Sequence, residues 1–376
     1  MDINTGLEGV VAASTRLSHV DGERGELIIA GYPLSELAAH ATFEETTWLL
    51  WHGRLPNAGE LDAFRAELAG KRALPGPTLS LLRDCARAKL DAMDALRIAA
   101  GTISLEDDHA ATIVAVVPTI VAAFSRLSQE QQPVAPRADL SHAANFLFML
   151  SGDVPDAERT RGLETYLNTV IDHGLNASTF TARVITSTGS DLVSAIVGAI
   201  GALKGPLHGG APGPALEMVF EIGDASRAEA MLRRKIERGD RLMGFGHRIY
   251  KVRDPRADVL AVAAERLFTR AGDMKLYRLA RDVEAIALRL LDEYKPGRRL
   301  QTNVEFYTAL LLHGLGLDVS VFTPTFAIGR VSGWIGHALE QRAANRLIRP
   351  SSVYAGPRDL RWMPVEARED PALVSS

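Results

Sequence analysis

The sequence contains only one cysteine, Cys85, among its 376 residues. A single thiol excludes a disulfide framework within the chain and any metal cluster built from several cysteines. A surplus of positive charge is also missing, since the formal net charge is −4, whereas nucleic-acid-binding domains are usually basic. There is no apolar run of the roughly 18 residues that suggest a transmembrane helix, and no secretory signal pattern. We therefore expect a cytoplasmic protein that binds neither nucleic acid nor membrane.

Strand patterns are almost absent as well. Only the short run at residues 26–29 resembles a strand, and elsewhere apolar residues recur at the three- and four-residue spacing of helices. Apolar residues make up 47% of the chain and charged residues 23%, which is typical of a globular protein. A chain of this length can form two domains or one large core divided by a cleft. The sequence thus predicts an all-α protein.

Capping signals and glycine or proline stops delimit the predicted helices. Asn57 with Glu60, and Ser226 with Glu229, have the spacing of capping boxes. Residues 192–203 are apolar on every side, which is typical of a helix buried in the core or in a subunit interface. Other predicted helices span residues 43–52, 78–101, 108–127 (with a kink or break at Pro118), 141–150, 158–171, 276–294, 303–313 and 326–348.

Residues 244–258 combine a histidine, several cations and the start of a helix. His247 lies in a glycine-flanked loop. Asp254 is a favourable N-cap, Pro255 suits the first helical position, and Arg256 follows in the first turn. The N–H groups and dipole of a helix N-terminus favour anions. The stretch therefore predicts an anion-binding site.

Three other stretches, residues 172–178, 205–210 and 302–307, carry polar residues that their apolar surroundings do not explain. Each alone is compatible with an ordinary loop or helix start. Together with His247 they bring three histidines and a carboxylate to glycine-rich helix junctions, which favours general acid–base chemistry on a small anionic substrate. Dinucleotide, P-loop, HExxH and GxSxG motifs are absent. The histidines are too scattered to argue for a metal site, so no metal is expected.

The chain contains GPLHGG at 205–210, GFGHRIYKVRDPR at 244–256, NVEFY at 303–307 and NRLIRPSSVY at 345–354. In this order these segments resemble the citrate synthase family, which includes 2-methylcitrate synthase. The N-terminal part resembles that family's opening too. The resemblance implies an all-helical homodimer with a small helical domain inserted into a large one and the active-site cleft between them. By position, residues 1–209 and 315–376 would form the large domain with the dimer interface. Residues 210–314 would form the small domain, with coenzyme A binding and the catalytic base.

The family condenses the thioester methyl of acetyl-CoA with the ketone of oxaloacetate and then hydrolyses the citryl-CoA intermediate. By resemblance, His208 would hydrogen-bond the thioester oxygen, and His247 would polarise the ketone and donate a proton to it. Glu305 would be the base that removes the methyl proton. The alternatives are a 2-methylcitrate synthase that uses propionyl-CoA, and a non-catalytic relative that binds CoA esters or an anion.

Further residues match the family's binding positions. His173, Arg256 and Arg330 would bind oxaloacetate, since planar guanidinium groups bind carboxylates bidentately. Arg349 would come from the neighbouring subunit, which would make the dimer necessary for activity. No permanently bound cofactor is implied, because the CoA thioester is a co-substrate. The implied coenzyme A contacts are Met243, Gly244, Phe245, Gly246, Lys251 and Asn303.

Glu305 departs from the family's commonest pattern, NVDFY, which has an aspartate at this position. The two side chains have similar intrinsic pKa values, about 4.3 and about 3.9, but glutamate adds one C–C bond of roughly 1.5 Å. A misplacement of about 1 Å can cost on the order of a hundredfold in rate. We expect a shifted backbone to re-aim the carboxylate; a slow enzyme or a different substrate are the alternatives. Pro212-Gly213 and Asp91-Ala92 also differ from common family residues, but remove no catalytic group.

Overall fold

Residues 4–103, 109–209 and 212–368 are described in this computed structural model. They contain sixteen α-helices and one three-stranded sheet, which confirms the predicted all-α class. The strands are β1 (Ser18–Asp21), β2 (Glu26–Ile29) and β3 (Tyr32–Pro33). The helices are α1 (Leu34–His40), α2 (Phe43–His52), α3 (Ala58–Gly70), α4 (Gly76–Arg87), α5 (Ala92–Ala100), α6 (His109–Ser128), α7 (His142–Ser151), α8 (Ala157–Val170), α9 (Ala177–Ser187), α10 (Leu192–Leu203), α11 (Pro212–Ile222), α12 (Ala225–Glu237), α13 (Pro255–Ala271), α14 (Lys275–Tyr294), α15 (Val304–Gly314) and α16 (Phe322–Ala343).

Side-chain caps start many of these helices. In the predicted capping box of α3, Asn57 Oδ1 accepts the N–H of Glu60 at 3.0 Å, and the Glu60 carboxylate accepts the N–H of Asn57 at 2.9 Å. The capping box predicted from Ser226 and Glu229 is wrong. Asp224 caps α12 instead, because its carboxylate accepts both the N–H of Ser226 at 2.9 Å and its hydroxyl at 2.5 Å.

The single helix predicted at residues 78–101 is divided into α4 and α5. Lys89 adopts a left-handed backbone conformation with φ +54°, which ends the first helix. Asp91 then starts the second by accepting the N–H of Met93 at 2.8 Å. The break therefore follows from an N-cap inside a stretch that is otherwise helical in pattern.

The helix predicted at residues 326–348 has different bounds at both ends. It is α16, which begins at Phe322 and ends at Ala343. Pro324 is tolerated there because the N–H groups of a first helical turn have no intrahelical partner. After α16 the chain runs without helix or strand as far as residue 364.

The small sheet connects two distant parts of the fold. β2 confirms the strand predicted at residues 26–29, whereas β1 and β3 are not predicted. Both pairings are antiparallel, with Ser18 opposite Ile29 in the first. The turn between β1 and β2 lies against the loop that precedes α13, since Gly22 O accepts the N–H of Lys251 at 2.9 Å. The sheet thus helps to position that loop.

The most apolar long helix, α6, lies inside the core and continues through Pro118 without a break. Contrary to the sequence expectation that there is no such run, its segment Ala110–Ser128 is long and apolar enough to cross a membrane. Most of the segment is buried inside the protein, as in the core helix of a globular domain. α10 confirms the apolar helix predicted at residues 192–203, although Val197 and Gly201 are left partly or fully exposed. Its role in a subunit interface stays a prediction. So does the division into two domains, in which α11–α15 would form the small domain.

α16 packs directly on the turn that follows α8. A Cβ added to Gly333 would clash with the carbonyl oxygen of Ile171 and would lie 3.0 Å from Asp172 Oδ1. Because the first of these atoms belongs to the backbone, a side chain at this position forces the two elements apart. Glycine therefore allows the close approach that supports His173, the next residue along the turn.

We predict that Gly333→Ala lowers the free energy of unfolding by about 1–3 kcal/mol, the usual cost of overpacking a core. Chemical denaturation measures the change. Gly70→Ala in α3 is the matched control, since no atom lies within 4 Å of the added Cβ. That control should be neutral or slightly stabilising. Equal stabilities of the two variants would contradict the packing described for α16.

Candidate active site

The turn after α8, the loop before α13 and the start of α15 meet beside α16. The ring centroids of His173 and His247 are 5.8 Å apart, although the residues are distant in sequence. The charges of Arg256 and Arg330 both act on the carboxyl of Glu305. The structure therefore brings these five predicted residues into one site.

A buried network around Asp172 holds His173. Ser18 Oγ donates to Asp172 Oδ2 at 2.5 Å and accepts the N–H of Gly174 at 2.8 Å. On the other side, Asp172 Oδ1 lies 3.1 Å from His337 Nε2. Burial alone raises the pKa of the Asp172 carboxyl, but its contact with His337 holds this pKa below the usual value. The ionised carboxylate therefore links the turn that carries His173 to Ser18 on β1 and to His337 on α16.

The loop of Gly244 and Gly246 is attached to the start of α15. Gly246 N–H donates to Gln301 O at 2.7 Å, and Asn303 N–H donates to Gly244 O at 2.9 Å. Asn303 Nδ2 donates to Gly246 O at 2.8 Å. Both glycines have positive φ angles, +87° and +82°, and a Cβ on Gly244 would lie 2.9 Å from Phe306 Cβ. The predicted coenzyme loop and the helix that carries Glu305 therefore form one unit.

Phe245, between these glycines, packs inward. Its ring is buried, and the centroids of the Phe245 and Phe306 rings are 5.3 Å apart. Met243 beside it is half-buried. A coenzyme contact from Phe245 is therefore expected from its backbone, with the ring serving to anchor the loop.

Two backbone donors set the tautomer of His247. The N–H groups of Ile249 and Tyr250 both lie 3.1 Å from His247 Nδ1, which must accept them. The proton of the neutral ring is then on Nε2. Burial, together with the charge of Arg256, lowers the pKa of His247 to about 4. At neutral pH this imidazole is an uncharged N–H donor. Its Nε2 lies 3.3 Å from Arg256 Nη2, a contact between two donors that is not a hydrogen bond in this tautomer.

Tyr250 connects two of the histidines. Its hydroxyl lies 3.1 Å from His173 Nε2, and its ring centroid lies 4.9 Å from that of His247. Burial, with the charges of Arg256 and Arg330, holds the pKa of His173 well below its usual range. His173 is therefore also neutral, and Tyr250 fixes its orientation.

Arg256 is buried and paired with Asp254. Its Nε and Nη2 donate to the two carboxylate oxygens of Asp254 at 3.0 and 2.8 Å. Asp254 also accepts the N–H of Val304 at 3.2 Å, at the start of α15. Asp254 thus does more than cap α13 as predicted, because it aligns Arg256 with the helix that carries Glu305. Arg256 Nη1 has no hydrogen-bond partner in the described residues, so it is free for a ligand.

Arg330 is a buried cation that forms no ion pair with a carboxylate of the described residues. Its Nε donates to Val170 O at 2.5 Å, and its guanidinium carbon lies 4.6 Å from the centre of the Phe326 ring. Burial lowers the pKa of Arg330 to about 10, with the Asp172 charge opposing, so the group stays charged at neutral pH. Its Nη atoms have no partner in the described part of the chain. Such a buried cation is stabilised when an anion binds.

Glu305 lies in the first turn of α15. Its N–H donates to the capping Asn303 Oδ1 at 3.0 Å, but its carboxylate has no hydrogen-bond partner among the residues described. Burial raises the pKa of Glu305 to about 7, against the opposing charges of Arg256 and Arg330. A carboxylate with this pKa is well matched to accepting a proton near neutral pH.

His208 is connected to the site by its contact with Ser178. Its Nε2 lies 2.8 Å from Ser178 Oγ, which is also 3.1 Å from the indole nitrogen of Trp334. Burial, followed by the charge of Arg330, lowers the pKa of His208 to about 4. His208 is therefore a third neutral imidazole. α11 begins shortly after it, at Pro212.

The family model "Citrate synthase, C-terminal domain" matches residues 6–351. Citrate synthase of Haloferax volcanii is 40% identical, over 98% of this chain and 99% of its own length. Citrate synthase 2 of Bacillus subtilis is 41% identical, over 98% of this chain and 100% of its own length. The chain belongs to the citrate synthase family. A 2-methylcitrate synthase of Mycobacterium tuberculosis is 40% identical over 94% of this chain and 91% of its own length, so identity does not separate the two activities.

Solved citrate synthases have the same fold. The enzyme of Pyrobaculum aerophilum superposes with a TM-score of 0.90 at 38% identity, covering 97% of this chain and 95% of its own. That of the thermophilic archaeon Thermoplasma acidophilum, a ternary complex with carboxymethyl coenzyme A and oxaloacetate, also has a TM-score of 0.90. It is 30% identical and covers 98% of this chain and 100% of its own. The expected citrate-synthase-like architecture is thereby confirmed.

Two residues predicted from the family lie apart from the cluster. Arg349 is exposed in the segment after α16. The preceding residue, Ile348, is attached to α9, because its N–H donates to Ser187 Oγ at 3.1 Å. The Lys251 side chain is exposed and donates to Arg248 O at 3.2 Å. In the described residues no group of three acidic, histidine or cysteine side chains is arranged to hold a metal ion. The roles of Arg349 and Lys251, and a metal-free function, stay predictions.

Several residues of the site are not singled out by the sequence. Tyr250 lies within a recognised motif, but its bond to His173 depends on the fold. Glu284 on α14 is buried and accepts hydrogen bonds from Arg253 at 2.5 Å and from the hydroxyls of Thr302 at 2.7 Å and Tyr307 at 2.5 Å. It ties the loop before α13 to the start of α15. Glu284 lies in an amphipathic helix, and nothing in the neighbouring sequence indicates this role.

We predict that acidification from pH 6.5 to 4 destabilises the folded state partly through His247. The folded pKa is about 4 and the unfolded pKa about 6.5, so only the unfolded chain binds this proton in that range. The cost is up to roughly 1.4 kcal/mol per pH unit for each such group. His247→Asn removes it, so the free energy of unfolding should fall less steeply as the pH is lowered.

Urea unfolding at several pH values between 4 and 6.5 measures the two slopes. Comparing variant with wild type cancels the opposite contribution of Glu305, whose pKa is raised to about 7 and whose ionisation destabilises the fold as the pH rises. His19→Asn, which removes an exposed imidazole, is the control. Identical slopes for His247→Asn and wild type would show that this ring is not held neutral.

Proposed function

We propose that the protein condenses acetyl-CoA with oxaloacetate and hydrolyses the product to citrate and free CoA. The observation that carries the proposal is the pair of buried guanidinium groups of Arg256 and Arg330. In the part of the chain that the structure describes, Asp254 is the one carboxylate in ion-pair contact with either of them, and it pairs with Arg256. Arg256 Nη1 and the Nη atoms of Arg330 are available to two carboxylates, the number that oxaloacetate has. Neutral histidines and Glu305 surround these cations, as acid–base chemistry on such a substrate requires.

The first step is enolisation of the thioester. The Glu305 carboxylate takes a proton from the methyl carbon of acetyl-CoA and becomes a neutral carboxylic acid. Its pKa of about 7 makes it a stronger base than an exposed glutamate, while part of the population stays ionised at neutral pH. The enol oxygen that forms is stabilised by a hydrogen bond from His208.

His208 must present a proton on Nδ1 for this role. The N–H of Ser178, which can only donate, lies 3.4 Å from His208 Nε2, and the Ser178 hydroxyl lies at 2.8 Å. The backbone contact favours Nε2 as the acceptor and Nδ1–H as the donor. The hydroxyl contact decides neither tautomer, because Ser178 Oγ has one proton and also lies 2.8 Å from Asn176 Oδ1, which can accept it. The pKa of about 4 keeps the ring neutral, so it donates without transferring a full positive charge to the site.

The second step forms the carbon–carbon bond. The enol carbon attacks the ketone carbon of oxaloacetate, whose oxygen accepts a hydrogen bond and then the proton from His247 Nε2. The proton that Glu305 took from the methyl group then passes to His247, which restores the neutral imidazole and the ionised carboxylate. Arg256 and Arg330 hold the carboxylates and so orient the ketone. The product is citryl-CoA. Water then attacks its thioester carbon, the C–S bond breaks, and the CoA thiol leaves.

Propionyl-CoA is the second candidate thioester, which would make 2-methylcitrate. It is supported by the 40% identity to the mycobacterial 2-methylcitrate synthase, which equals the identity to the Haloferax citrate synthase. One additional methylene in an apolar pocket changes discrimination by only about 1–3 kcal/mol. Measurable turnover of both thioesters is therefore expected, with acetyl-CoA preferred.

We also propose that the active unit is a homodimer that acts in the cytoplasm. The segment after α16 exposes several large apolar side chains, which is unfavourable for a free chain: Leu347, Val353, Tyr354, Leu360, Trp362 and Met363. The partly exposed face of the apolar α10 adds to this uncovered surface. A second copy that covers both would place Arg349 in the neighbouring site, as the family resemblance implies.

The base is tested by replacing Glu305. Glu305→Gln keeps size and polarity but cannot accept the proton, so release of free thiol from acetyl-CoA and oxaloacetate should fall about 10²–10⁴-fold. Glu305→Asp should retain activity. The exposed Glu265→Gln on α13 is the control and should match wild type. No thiol release by wild type from either acetyl-CoA or propionyl-CoA would overturn the proposed function.

The shared site is tested by complementation between two inactive variants. Arg349→Ala and Glu305→Gln homodimers should each be nearly inactive. In a mixed dimer, one site receives the intact Glu305 of one chain and the intact Arg349 of the other, so random mixing should restore about a quarter of wild-type activity. If Arg349 acts within its own subunit, every site of the mixed dimer lacks one group, and no activity returns.

A further inference from the structure

Tyr166 on α8 has a role in the site that neither its sequence context nor the family resemblance assigned. Its side chain is completely buried, and its hydroxyl has no hydrogen-bond partner in the described residues. Buried tyrosine hydroxyls are usually paired, because an unmet hydrogen bond costs free energy. The hydroxyl is therefore a donor without an acceptor in the ligand-free protein.

The helix geometry places Tyr166 on the face of α8 that packs against α15 and α16. Tyr166 is one turn after Gly162 and one turn before Val170 on the same face of α8. At one end of this face, a Cβ on Gly162 would lie 3.7 Å from a methyl carbon of Leu311 on α15. At the other end, Val170 O accepts the hydrogen bond of Arg330. Tyr166 lies between these contacts, on the side of α8 that faces the site.

The charge of Glu305 acts on the Tyr166 hydroxyl. Burial raises the pKa of this hydroxyl, and the charge of Glu305 raises it further, whereas Arg330 and Arg256 act in the opposite direction. The charged groups that act on the Glu305 carboxyl are Arg256 and Asp254 at the start of α13 and Arg330 on α16. Within the described residues Tyr166 is an uncharged donor without a partner, and the Glu305 carboxylate is an acceptor without one.

We propose that Tyr166 is a positioning residue whose hydroxyl donates a hydrogen bond to the Glu305 carboxylate when substrate binding draws α8 and α15 together. This inference rests on the proposed function, in which α8 belongs to the large domain and α15 to the small one. The bond would hold the Glu305 side chain in one orientation. It would thereby compensate for the displacement of the carboxylate that the extra methylene of glutamate causes. It would also favour the ionised base in the closed site, because a donor stabilises a carboxylate.

The test is Tyr166→Phe, which removes the hydroxyl and keeps the ring. We expect kcat to fall roughly 10- to 100-fold, the range for losing a hydrogen bond to a charged group. The KM for oxaloacetate should stay within about twofold, because the arginines still hold the substrate. Without the donor the ionised base is less favoured, so the acid limb of the pH profile of kcat should move to higher pH. Tyr277→Phe, at another buried tyrosine, is the control and should change neither quantity.

Two outcomes overturn the inference while leaving the proposed function intact. One is a Tyr166→Phe enzyme with wild-type kcat and pH profile. The other is a raised KM for oxaloacetate with an unmoved acid limb, which would assign the hydroxyl to the substrate. An inactive wild type would instead refute the proposed function. If Tyr166→Phe does not fold, Tyr166→Leu and Tyr166→Met, which also lack a donor, carry the same pH-profile test, and a wild-type acid limb in whichever of them folds contradicts the proposal.

Discussion

The site depends on an excess of buried positive charge. Arg256 and Arg330 both lie inside the protein, yet among the described residues only Arg256 has a carboxylate partner, Asp254. Burying a cation without a carboxylate partner costs folding free energy. Arg330 is therefore a position at which stability is lost in favour of ligand binding. Burial lowers the pKa values of His208 and His247 to about 4, and the neighbouring arginines add to the shift, so both rings are kept neutral. The same cations oppose the raised pKa of Glu305. Burial and these two cations together therefore set the protonation state of each of these groups.

The surrounding structure holds these groups with short-range contacts between distant segments. Gly329 and Gly333 let α16 approach the end of α8 closely enough for Arg330 to bond Val170 O. Asp254 joins α13 to α15, and Asn303 joins α15 to the loop of Gly244 and Gly246. These links make the predicted coenzyme loop, the proposed base and one of the arginines proposed to bind oxaloacetate a single unit. Motion of that unit relative to α8 and α16 would assemble the site in one step, as the proposed domain closure requires.

Features that depend on near neighbours in the chain are predictable from the sequence. The cap of α3 at Asn57 and the start of α13 at Asp254 follow from residue type and spacing, and the structure confirms both. Local spacing fails where two good caps compete, as Asp224 and Ser226 do at α12. It also gives no sign of Ser18 on Asp172, or of the buried Tyr166, because those contacts join segments far apart in the chain. The family resemblance supplies residues and roles, whereas the unpaired charge of Arg330 becomes visible only when its surroundings are known.

The central claim is that Arg330 is kept for ligand binding and not for stability. The most direct test compares Arg330→Gln with wild type in thermal unfolding, with and without oxaloacetate. The account predicts that the ligand-free variant melts no lower than wild type, since an unpaired buried charge has been removed. It also predicts that the rise in melting temperature caused by oxaloacetate disappears, because that rise measures binding to the folded state. A ligand-free variant that is strongly destabilised, yet still stabilised by oxaloacetate to the wild-type extent, would contradict it.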